Sequence, residues 1–286
     1  MSWLHPLTPQ LVIVAGLFVA FPWMASSQSE LLDPLAPPRH SHPTALAAQV
    51  ATATGTGSCG CLEGDVVLDR DCDGSVVIVS GSTVDLNGFT IHGSVVGSES
   101  CDGGFGLQRG ITLRNGTVRG GHVILGDEAL IDGVHVTEGT GFVVSETGGV
   151  IRNSRFTNNV IAVDLYFNDG VTVENSYFEN NLIGVLNGRG DDILIAGNTF
   201  YENDRGVSLW DEDNDGTNRN VVRDNVFESN RVGTRIFMQW CDGFFAPCLQ
   251  DIQVTDNVYI DNRSAGILVD SNPCWWWEQW GDECPF

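Results

Sequence analysis

The strongest constraint on the fold is a nine-residue motif that recurs along the second half of the chain. Each copy begins with an apolar residue, has an aromatic residue at its sixth position and ends in Asn. The clear copies span residues 151–159, 173–181, 195–203, 222–230 and 254–262, and weaker copies span 113–121 and 131–139. A repeat of this size is typical of solenoids, in which each unit packs only on its neighbours. The sequence therefore predicts seven stacked coils.

The spacing of the motif indicates what one coil contains. The aromatic position is occupied by Phe156, Phe178, Phe200, Phe227 and Tyr259, with steps of 22, 22, 27 and 32 residues between these numbers. About 22 residues suit three short strands, since strands of about five residues are usual. Short apolar alternations broken by Asn and Gly favour strands and turns, and no segment keeps a helical period. We therefore expect an all-β chain whose coils pair as parallel strands about 4.8 Å apart.

Stacking of the coils would align equivalent side chains in columns. The expected inward columns are the aromatic position, then Val163, Val185 and Val207, and then Leu165, Leu209, Ile236 and Leu268. Asn159, Asn181, Asn203, Asn230 and Asn262 should form a hydrogen-bonded ladder at a turn. We expect Asn there because it tolerates left-handed backbone geometry.

The repeats and the segment that precedes them resemble a known family. Residues 64–72 and 84–93 look like the opening coils of the right-handed parallel β-helix repeat family of secreted, carbohydrate-associated proteins. The resemblance covers roughly residues 60–272 and implies a single right-handed parallel β-helix, a solenoid. Its members include lyases, hydrolases, epimerases, adhesins and copper-maturation accessory proteins, so the resemblance implies the fold without fixing an activity.

The chain divides into four predicted segments. Residues 1–27 resemble a secretory signal peptide, with an apolar run over 11–24 and small residues after it. An uncleaved anchor is the alternative. Residues 28–57 are rich in Ala, Pro, Ser and Thr and are expected to be a disordered linker. The β-helix should occupy 58–272, and the Trp-rich residues 273–286 should cap it, or else offer aromatic rings to a sugar.

Cysteine usage agrees with export. The eight Cys residues are an even number, which favours disulfides in an exported chain. We expect local disulfides Cys241–Cys248 and Cys274–Cys284, so that disulfides staple the ends of the solenoid. The pairing of Cys59, Cys61, Cys72 and Cys101 stays open. The predicted location is secreted, either extracellular or periplasmic.

Net charge narrows the range of partners. Acidic residues number 37 against 14 basic ones, all of them Arg, which gives a net charge of −23. Such a chain should repel nucleic acid and anionic membranes, which are bound mainly through Lys and Arg. The absence of Lys also excludes the lyase mechanisms in which a Lys is the base. We expect a polysaccharide partner, no membrane span in the mature chain, and a monomer.

The longer steps between repeats locate the predicted site. Gaps between the last core position of one coil and the first of the next grow from 8 residues to 13 and 18, all in the same turn. Insertions on one face of a solenoid often mark its binding face. Asp169 and Asp192, with Arg189, are the candidate catalytic residues, because glycoside hydrolysis uses two carboxyl groups. Tyr166, Trp210, Glu212 and Trp240 are the candidate substrate-binding residues, because sugar faces stack on aromatic rings. The alternative is that these residues only cap turns.

One of the insertions also contains a calcium-like sequence. Asp211, Asp213 and Asp215 alternate before Gly216, so that their carboxylates can converge on one cation. The twelfth position of a full calcium-binding loop is Val222 rather than Glu. Asp69, Asp71 and Asp73 repeat the spacing in the opening coil. Calcium is therefore the expected cofactor.

Together these features predict a secreted β-helix protein that binds, and as an enzyme would process, an extracellular polysaccharide at a loop-lined edge. If it is an enzyme, we expect a polysaccharide hydrolase or another carbohydrate-active enzyme. The alternative is a non-catalytic surface or structural protein that uses the solenoid as a rigid stalk.

Overall fold

The computed structural model describes residues 57–102, 108–139, 141–143, 147–211, 217–238 and 249–271. Every regular element in these ranges is a β-strand, as the sequence predicted. The predicted signal peptide, nearly all of the predicted linker and the predicted cap lie outside the described residues. Among the residues that the structure describes, no helix is long and apolar enough to cross a membrane.

The strands form three columns that run the length of a solenoid. The first column contains Asp65–Val67, Thr83–Asp85, Val150–Arg152, Thr172–Glu174, Leu194–Ala196, Val221–Arg223 and Gln253–Thr255. The second contains Cys72–Asp73, Thr90–His92, Arg155–Thr157, Tyr177–Glu179, Thr199–Tyr201, Val226–Glu228 and Val258–Ile260. The longer strands Thr112–Arg119 and Leu130–Thr137 each span both columns.

The third column forms a separate sheet. It contains Cys61–Leu62, Val76–Val79, Val95–Ser98, His122–Ile124, Gly141–Val143, Ile161–Asp164, Ile183–Gly188, Arg205–Asp211, Val232–Met238 and Ala265–Ser271. All pairings are parallel, and each strand pairs with its equivalent in the next coil. The fold is therefore the all-β parallel β-helix that the repeat predicted.

The aromatic position of the repeat forms one continuous stack in the core. Phe156, Phe178, Phe200 and Phe227 are fully buried and Tyr259 continues the stack. Neighbouring ring centroids are 4.7 to 5.0 Å apart, and the ring planes differ by no more than 13°. The centroid spacing matches the spacing of paired strands, so the stacking follows directly from the strand register.

The third column confirms one inward column of the prediction and corrects another. Val163 pairs with Val185 and Val185 with Val207, as expected. Ile236, however, pairs with Val269 instead of Leu268. The prediction for Leu268 was wrong because side chains alternate between the two faces of a strand, so a shift of one residue moves Leu268 to the outer face.

The predicted Asn ladder is present at the turn between the second and third columns. The backbone N–H and side-chain amide of each Asn donate to the side-chain oxygen of the next Asn, at 2.9 to 3.1 Å. The left-handed residues are those just before the ladder, such as Asn180 with φ 53° and Glu202 with φ 53°. Left-handed tolerance was therefore the wrong reason for Asn here. The preceding residue makes the bend, and the Asn satisfies buried polar groups.

A second ladder, which the sequence analysis missed, lies at the turn between the first and second columns. Ser154 donates its backbone N–H to the Ser176 hydroxyl, and Ser176 donates to the Asn198 side chain. Asn225 and Asn257 continue the series at 2.9 and 3.0 Å. Both short turns are therefore held coil to coil by side chains, so their geometry varies little along the solenoid.

Two disulfides join the first coils. Cys59 pairs with Cys72, and Cys61 pairs with Cys101. Cys59 and Cys72 are buried in the core, so the first disulfide also helps to cover the end of the solenoid. These pairs settle the connectivity that the sequence left open and confirm that the N-terminal end is stapled.

Candidate functional site

The turn between the third column and the next first column carries both of the insertions that the repeat spacing located. Among the described residues of the later coils, this turn, which we call the loop edge, comprises 165–171, 189–193, 217–220 and 249–252. Within the two insertions, Thr217–Asn218 and Leu249–Gln250 form an additional parallel pair. The prediction that the insertions share one turn is confirmed. The last residues of the two insertions also pair with each other as parallel strands before the chain re-enters the first column.

An aromatic cluster lies where the loop edge begins at Tyr166. The Tyr166 ring covers Gly188 of the next coil so closely that a Cβ atom there would be 2.5 Å from the ring. Phe167 meets Tyr166 edge to face at 4.4 Å between ring centroids and is 54% exposed. The Arg189 guanidinium lies 4.8 Å from the Phe167 centroid and 5.5 Å from that of Tyr166. This cation–π packing holds an exposed ring in place.

A second aromatic cluster lies further along the same outer face of the third column. The Trp210 and Phe237 rings meet edge to face with centroids 6.2 Å apart. The Arg235 guanidinium lies 4.6 Å from the Phe237 centroid and donates to the Asp270 carboxylate at 2.9 Å. Each cluster thus combines aromatic rings with an Arg packed on a ring face. Of the predicted substrate-binding residues, the structure places Tyr166 and Trp210 on this face.

The predicted catalytic carboxylates have partners within the turn. Asp169 accepts the backbone N–H of Asp191 at 2.9 Å, and Asp191 in turn accepts that of Asn218 at 2.7 Å. The equivalent of Asp169 in the next coil is therefore Asp191, and Asp192 lies one residue further along. Asp127 accepts the N–H of Thr147 in the same manner in an earlier coil. Carboxylates at this level of the turn form a ladder of their own.

Asp192 is held by an Arg that the sequence analysis did not consider. Arg219, which comes from the first long insertion, donates to both oxygens of Asp192 at 2.7 Å and to Asp191 at 3.2 Å. The hydrogen bond to Arg219 lowers the pKa of the Asp192 carboxyl below its ordinary value. Asp192 is therefore ionised at neutral pH, which suits a base or a nucleophile and not a proton donor.

Asp164 is a candidate acid that the sequence analysis missed. It lies on the outer face of the third column, two residues before Tyr166, and accepts the Tyr166 backbone N–H at 3.2 Å. Burial raises its pKa, and the hydrogen bond from Tyr166 opposes the increase. Among the Asp and Glu residues that the structure describes, it is the one whose pKa is shifted upward. The available signal was an Asp at an outward position of an otherwise apolar strand.

The remaining predicted site residues lie outside the described residues. They are Glu212, Trp240, Asp213 and Asp215, the side chain of Asp211, and the disulfides Cys241–Cys248 and Cys274–Cys284. In the opening coil, Asp71 accepts the backbone N–H of Thr90 at 2.7 Å. Within the described ranges, no group of three or more His, Cys, Asp or Glu side chains is arranged to hold a metal ion.

Comparison with known proteins identifies the family. A model described as a right-handed beta helix region matches residues 119–274. The A-module of a mannuronan C-5 epimerase from Azotobacter vinelandii is 14% identical, with a TM-score of 0.44, over 73% of this chain and 71% of that chain. Endopolygalacturonase I from Stereum purpureum is 12% identical, with a TM-score of 0.35, over 74% of this chain and 96% of that chain.

Likeness at this level carries nothing about activity from those two proteins to this chain. No curated protein matches the sequence. The family model, in contrast, spans more than half of the 286 residues and coincides with the regular coils. The chain belongs to the right-handed β-helix family.

Proposed function

We propose that the protein is a secreted glycan-binding protein whose binding surface is the outer face of the third column beside the loop edge. The observation that carries the proposal is the pair of aromatic clusters, each with an Arg packed on a ring. Sugar rings present C–H faces to aromatic side chains and hydroxyl groups to charged donors and acceptors. Phe167 offers an exposed ring, and Arg235 with Asp270 offers polar groups beside Trp210.

Charge and disulfides support the choice of ligand and compartment. A net charge of −23 disfavours polyanionic glycans unless a cation bridges them, so we propose a neutral or calcium-bridged polysaccharide. Calcium at Asp211, Asp213 and Asp215 is part of this proposal. The disulfides Cys59–Cys72 and Cys61–Cys101 fit an oxidising, extracytoplasmic compartment.

Hydrolysis of the bound glycan is a second candidate function. The raised pKa of Asp164 and the lowered pKa of Asp192 favour it, because glycoside hydrolysis needs one carboxyl group that keeps its proton and one that is ionised. Asp169 and Arg189 belong to the same loop edge and complete the proposed catalytic set. Replacement of Asp164 by Asn should abolish any release of reducing ends while polysaccharide binding is retained.

Affinity electrophoresis tests the binding proposal. The protein is run through gels containing glucomannan, xylan, mixed-linkage glucan, alginate or polygalacturonate, each with calcium and with a chelator. We expect retention by at least one polysaccharide, and about a tenfold loss of affinity when Phe167 and Trp210 are both replaced by Ala, since buried aromatic anchors dominate binding energies. The matched control replaces Val160 and Leu182, which are 49% and 53% exposed in the turn before the third column.

The stalk alternative makes the opposite forecast. A purely structural solenoid would be retained by none of these polysaccharides, with calcium or with chelator. Equal losses in the Phe167→Ala, Trp210→Ala variant and in the Val160→Ala, Leu182→Ala control would also contradict a site at the loop edge.

A further inference from the structure

A polar groove lies on the outer face of the second strand column, on a different part of the coil perimeter from the loop edge. Its volume is about 470 Å³, which is within the range of small-ligand sites. The groove is lined by His135, Arg155, Thr157, Asn158, Glu179, Asn180 and Glu202. The sequence analysis did not single out any residue of this groove.

The groove crosses successive coils and is therefore elongated. His135 pairs in register with Arg155, and Thr157 pairs with Glu179, so each step along the groove is one strand spacing. His135, Arg155 and Glu179 belong to three successive coils, and Glu202 belongs to the fourth. Three steps of about 4.8 Å give a length of roughly 14 Å. A chain-like ligand that runs along the helix axis fits this shape better than a compact one.

The polar groups of the groove are held in fixed positions by the sheet. A His135 ring nitrogen is 2.8 Å from the Thr157 hydroxyl, which donates to Thr137 at 3.0 Å. The Arg155 guanidinium donates to the Glu179 carboxylate at 2.7 Å and lies 5.2 Å from the Tyr177 ring centroid. Donors and acceptors that are ordered before a ligand arrives lower the entropic cost of binding.

The charges of the groove favour an uncharged ligand. Arg155 and Glu179 neutralise each other as an ion pair. Burial, and then the neighbouring charge of Arg155, lower the pKa of His135, so the imidazole is neutral at pH 7. Glu202 leaves the lining with one net negative charge. Anionic sugars and phosphates are therefore disfavoured, while hydroxyl groups find both donors and acceptors.

Tyrosine rings stand beside the polar groups. Tyr177 is the register neighbour of Arg155, and Tyr201 is the register neighbour of Glu179. Both residues are half-buried, and they lie beside the lining of the groove rather than in it. Rings next to fixed donors and acceptors match the apolar faces and the hydroxyl groups of a sugar.

We propose that this groove binds a neutral oligosaccharide aligned with the helix axis, as a glycan site separate from the loop edge. The proposal does not depend on glycan binding at the loop edge. Its ligand class follows from the elongated shape, from the near-neutral lining of hydrogen-bond donors and acceptors, and from the two tyrosines beside that lining. The two surfaces would let the protein hold two segments of neutral polysaccharide at once.

Nuclear magnetic resonance of protein labelled with ¹³C at His tests the site directly. Mannohexaose, cellohexaose, xylohexaose and maltohexaose are each titrated, and the His135 resonance is identified by its loss in a His135→Gln variant. We expect a saturable shift of the His135 signal with at least one hexaose, and no shift of His122, an exposed residue of the third column. The Glu179→Ala variant should bind about tenfold more weakly, because it loses a hydrogen-bonded charge.

Matched variants separate a binding role from a structural one. Asp132→Ala removes the Arg152–Asp132 ion pair, whose side chains are 42% and 29% exposed, closely matching the 43% and 29% of Arg155 and Glu179. The Asp132→Ala control should have a melting temperature no higher than that of Glu179→Ala, and yet bind the hexaose with the wild-type affinity. Glu179→Gln, which keeps the side-chain shape, serves if Glu179→Ala does not fold, and should also weaken binding.

Two results would overturn the proposal. One is the absence of a His135 shift with all four hexaoses at about 5 mM, because a site that is empty at this concentration binds too weakly to matter. The other is tighter binding of hexagalacturonate than of any neutral hexaose, as measured by the midpoint of the titration. A His135 shift that survives in the Phe167→Ala, Trp210→Ala variant shows that the groove binds independently of the loop edge. Loss of the His135 shift in that variant would mean that both surfaces belong to one site, and would reject a separate site in the groove.

Discussion

At the scale of single residues, each short turn assigns the backbone bend and the buried hydrogen bonds to two different residues. The residue before the ladder adopts the left-handed conformation, and Glu202, Ser229 and Asp261 fill that position as well as Asn does. The ladder position is buried from Asn159 to Asn230 and half-buried at Asn262, and it keeps Asn because the amide both donates and accepts. Sequence reasoning found the column correctly and gave it the wrong cause, since backbone angles cannot be read from residue type alone.

Replacement of Asn203 by Ala tests the ladder. Asn203 is fully buried, accepts from Asn181 and donates to Phe178 and Asn230. The change removes the acceptor of the Asn181 backbone N–H and of one side-chain N–H of Asn181, and one donor to the Phe178 carbonyl. We therefore expect the free energy of unfolding to fall by about 2 to 4 kcal/mol. Chemical denaturation measures it. The outward-facing Thr199→Ala control should change stability by less than about 0.5 kcal/mol, and an equal effect of both changes would argue against the ladder.

His135 gives the molecule a predictable pH dependence. Its pKa is lowered from 6.5 in the folded chain, mainly by burial, with Arg155 and Glu179 as the charged groups that face it. The folded state therefore binds fewer protons than the unfolded state, and stability is lost as the pH falls from 6.5 through the lower folded pKa. Denaturation at about pH 7.5 and about pH 5 should show a smaller loss in His135→Gln than in the wild type. An identical loss in both proteins would contradict it.

At the scale of elements, the aromatic rings of the second column pack against glycines of the third column. The third column carries glycine at 184, 206, 233 and 266 where it passes the aromatic stack. A Cβ at Gly206 would lie 2.6 Å from the Gly233 carbonyl oxygen and 2.7 Å from the Phe227 ring. The repeat predicted the aromatic column from sequence because aromatic residues recur at fixed steps. The reason for the glycines appears only when the two columns face each other.

Gly206→Ala tests how closely the two columns pack. We expect a loss of about 1 to 3 kcal/mol, because an extra methyl group in a packed core forces rings and backbone apart. Ala162 occupies the equivalent position of an earlier coil, as the pairing of Ile161 with Ile183 and of Ile183 with Arg205 shows. Ala162→Gly should cost about 1 to 2 kcal/mol, because it loses a buried methyl group and frees the unfolded backbone. Thermal denaturation compares the two variants, and full stability of Gly206→Ala would refute the close packing.

At the scale of the whole molecule, the repeated and the unique parts differ in how far sequence predicts them. The coils repeat, so most of the register, the aromatic core and the position of the insertions follow from spacing, with Leu268 in the last coil as the exception. The site does not repeat. Arg219 reaches Asp192 from an insertion 27 residues later in the chain, and that path depends on how the insertion folds back. The groove around His135 likewise combines different residues from each coil, so no sequence motif predicts it.

The two N-terminal disulfides should govern how the solenoid opens. Each coil packs only on its neighbours, so unfolding can start at an end and spread inward. The disulfides close loops with sequence separations of 13 and 40 residues, and each should contribute about 3 to 4 kcal/mol by restricting the unfolded chain. Cys→Ser variants are preferable to a reducing agent, because a reducing agent would also act on any disulfides among the four Cys residues that lie outside the described residues.

We therefore expect the Cys61→Ser, Cys101→Ser variant to lose protection unevenly. Hydrogen exchange followed by mass spectrometry should accelerate first in residues 61–98, where the coils lose their staple. Strands between 172 and 236 should keep their protection, because the Asn ladder and the aromatic stack hold them independently of the N-terminal end. A uniform acceleration along the chain would mean that the solenoid unfolds as one cooperative unit, and would reject opening from the end.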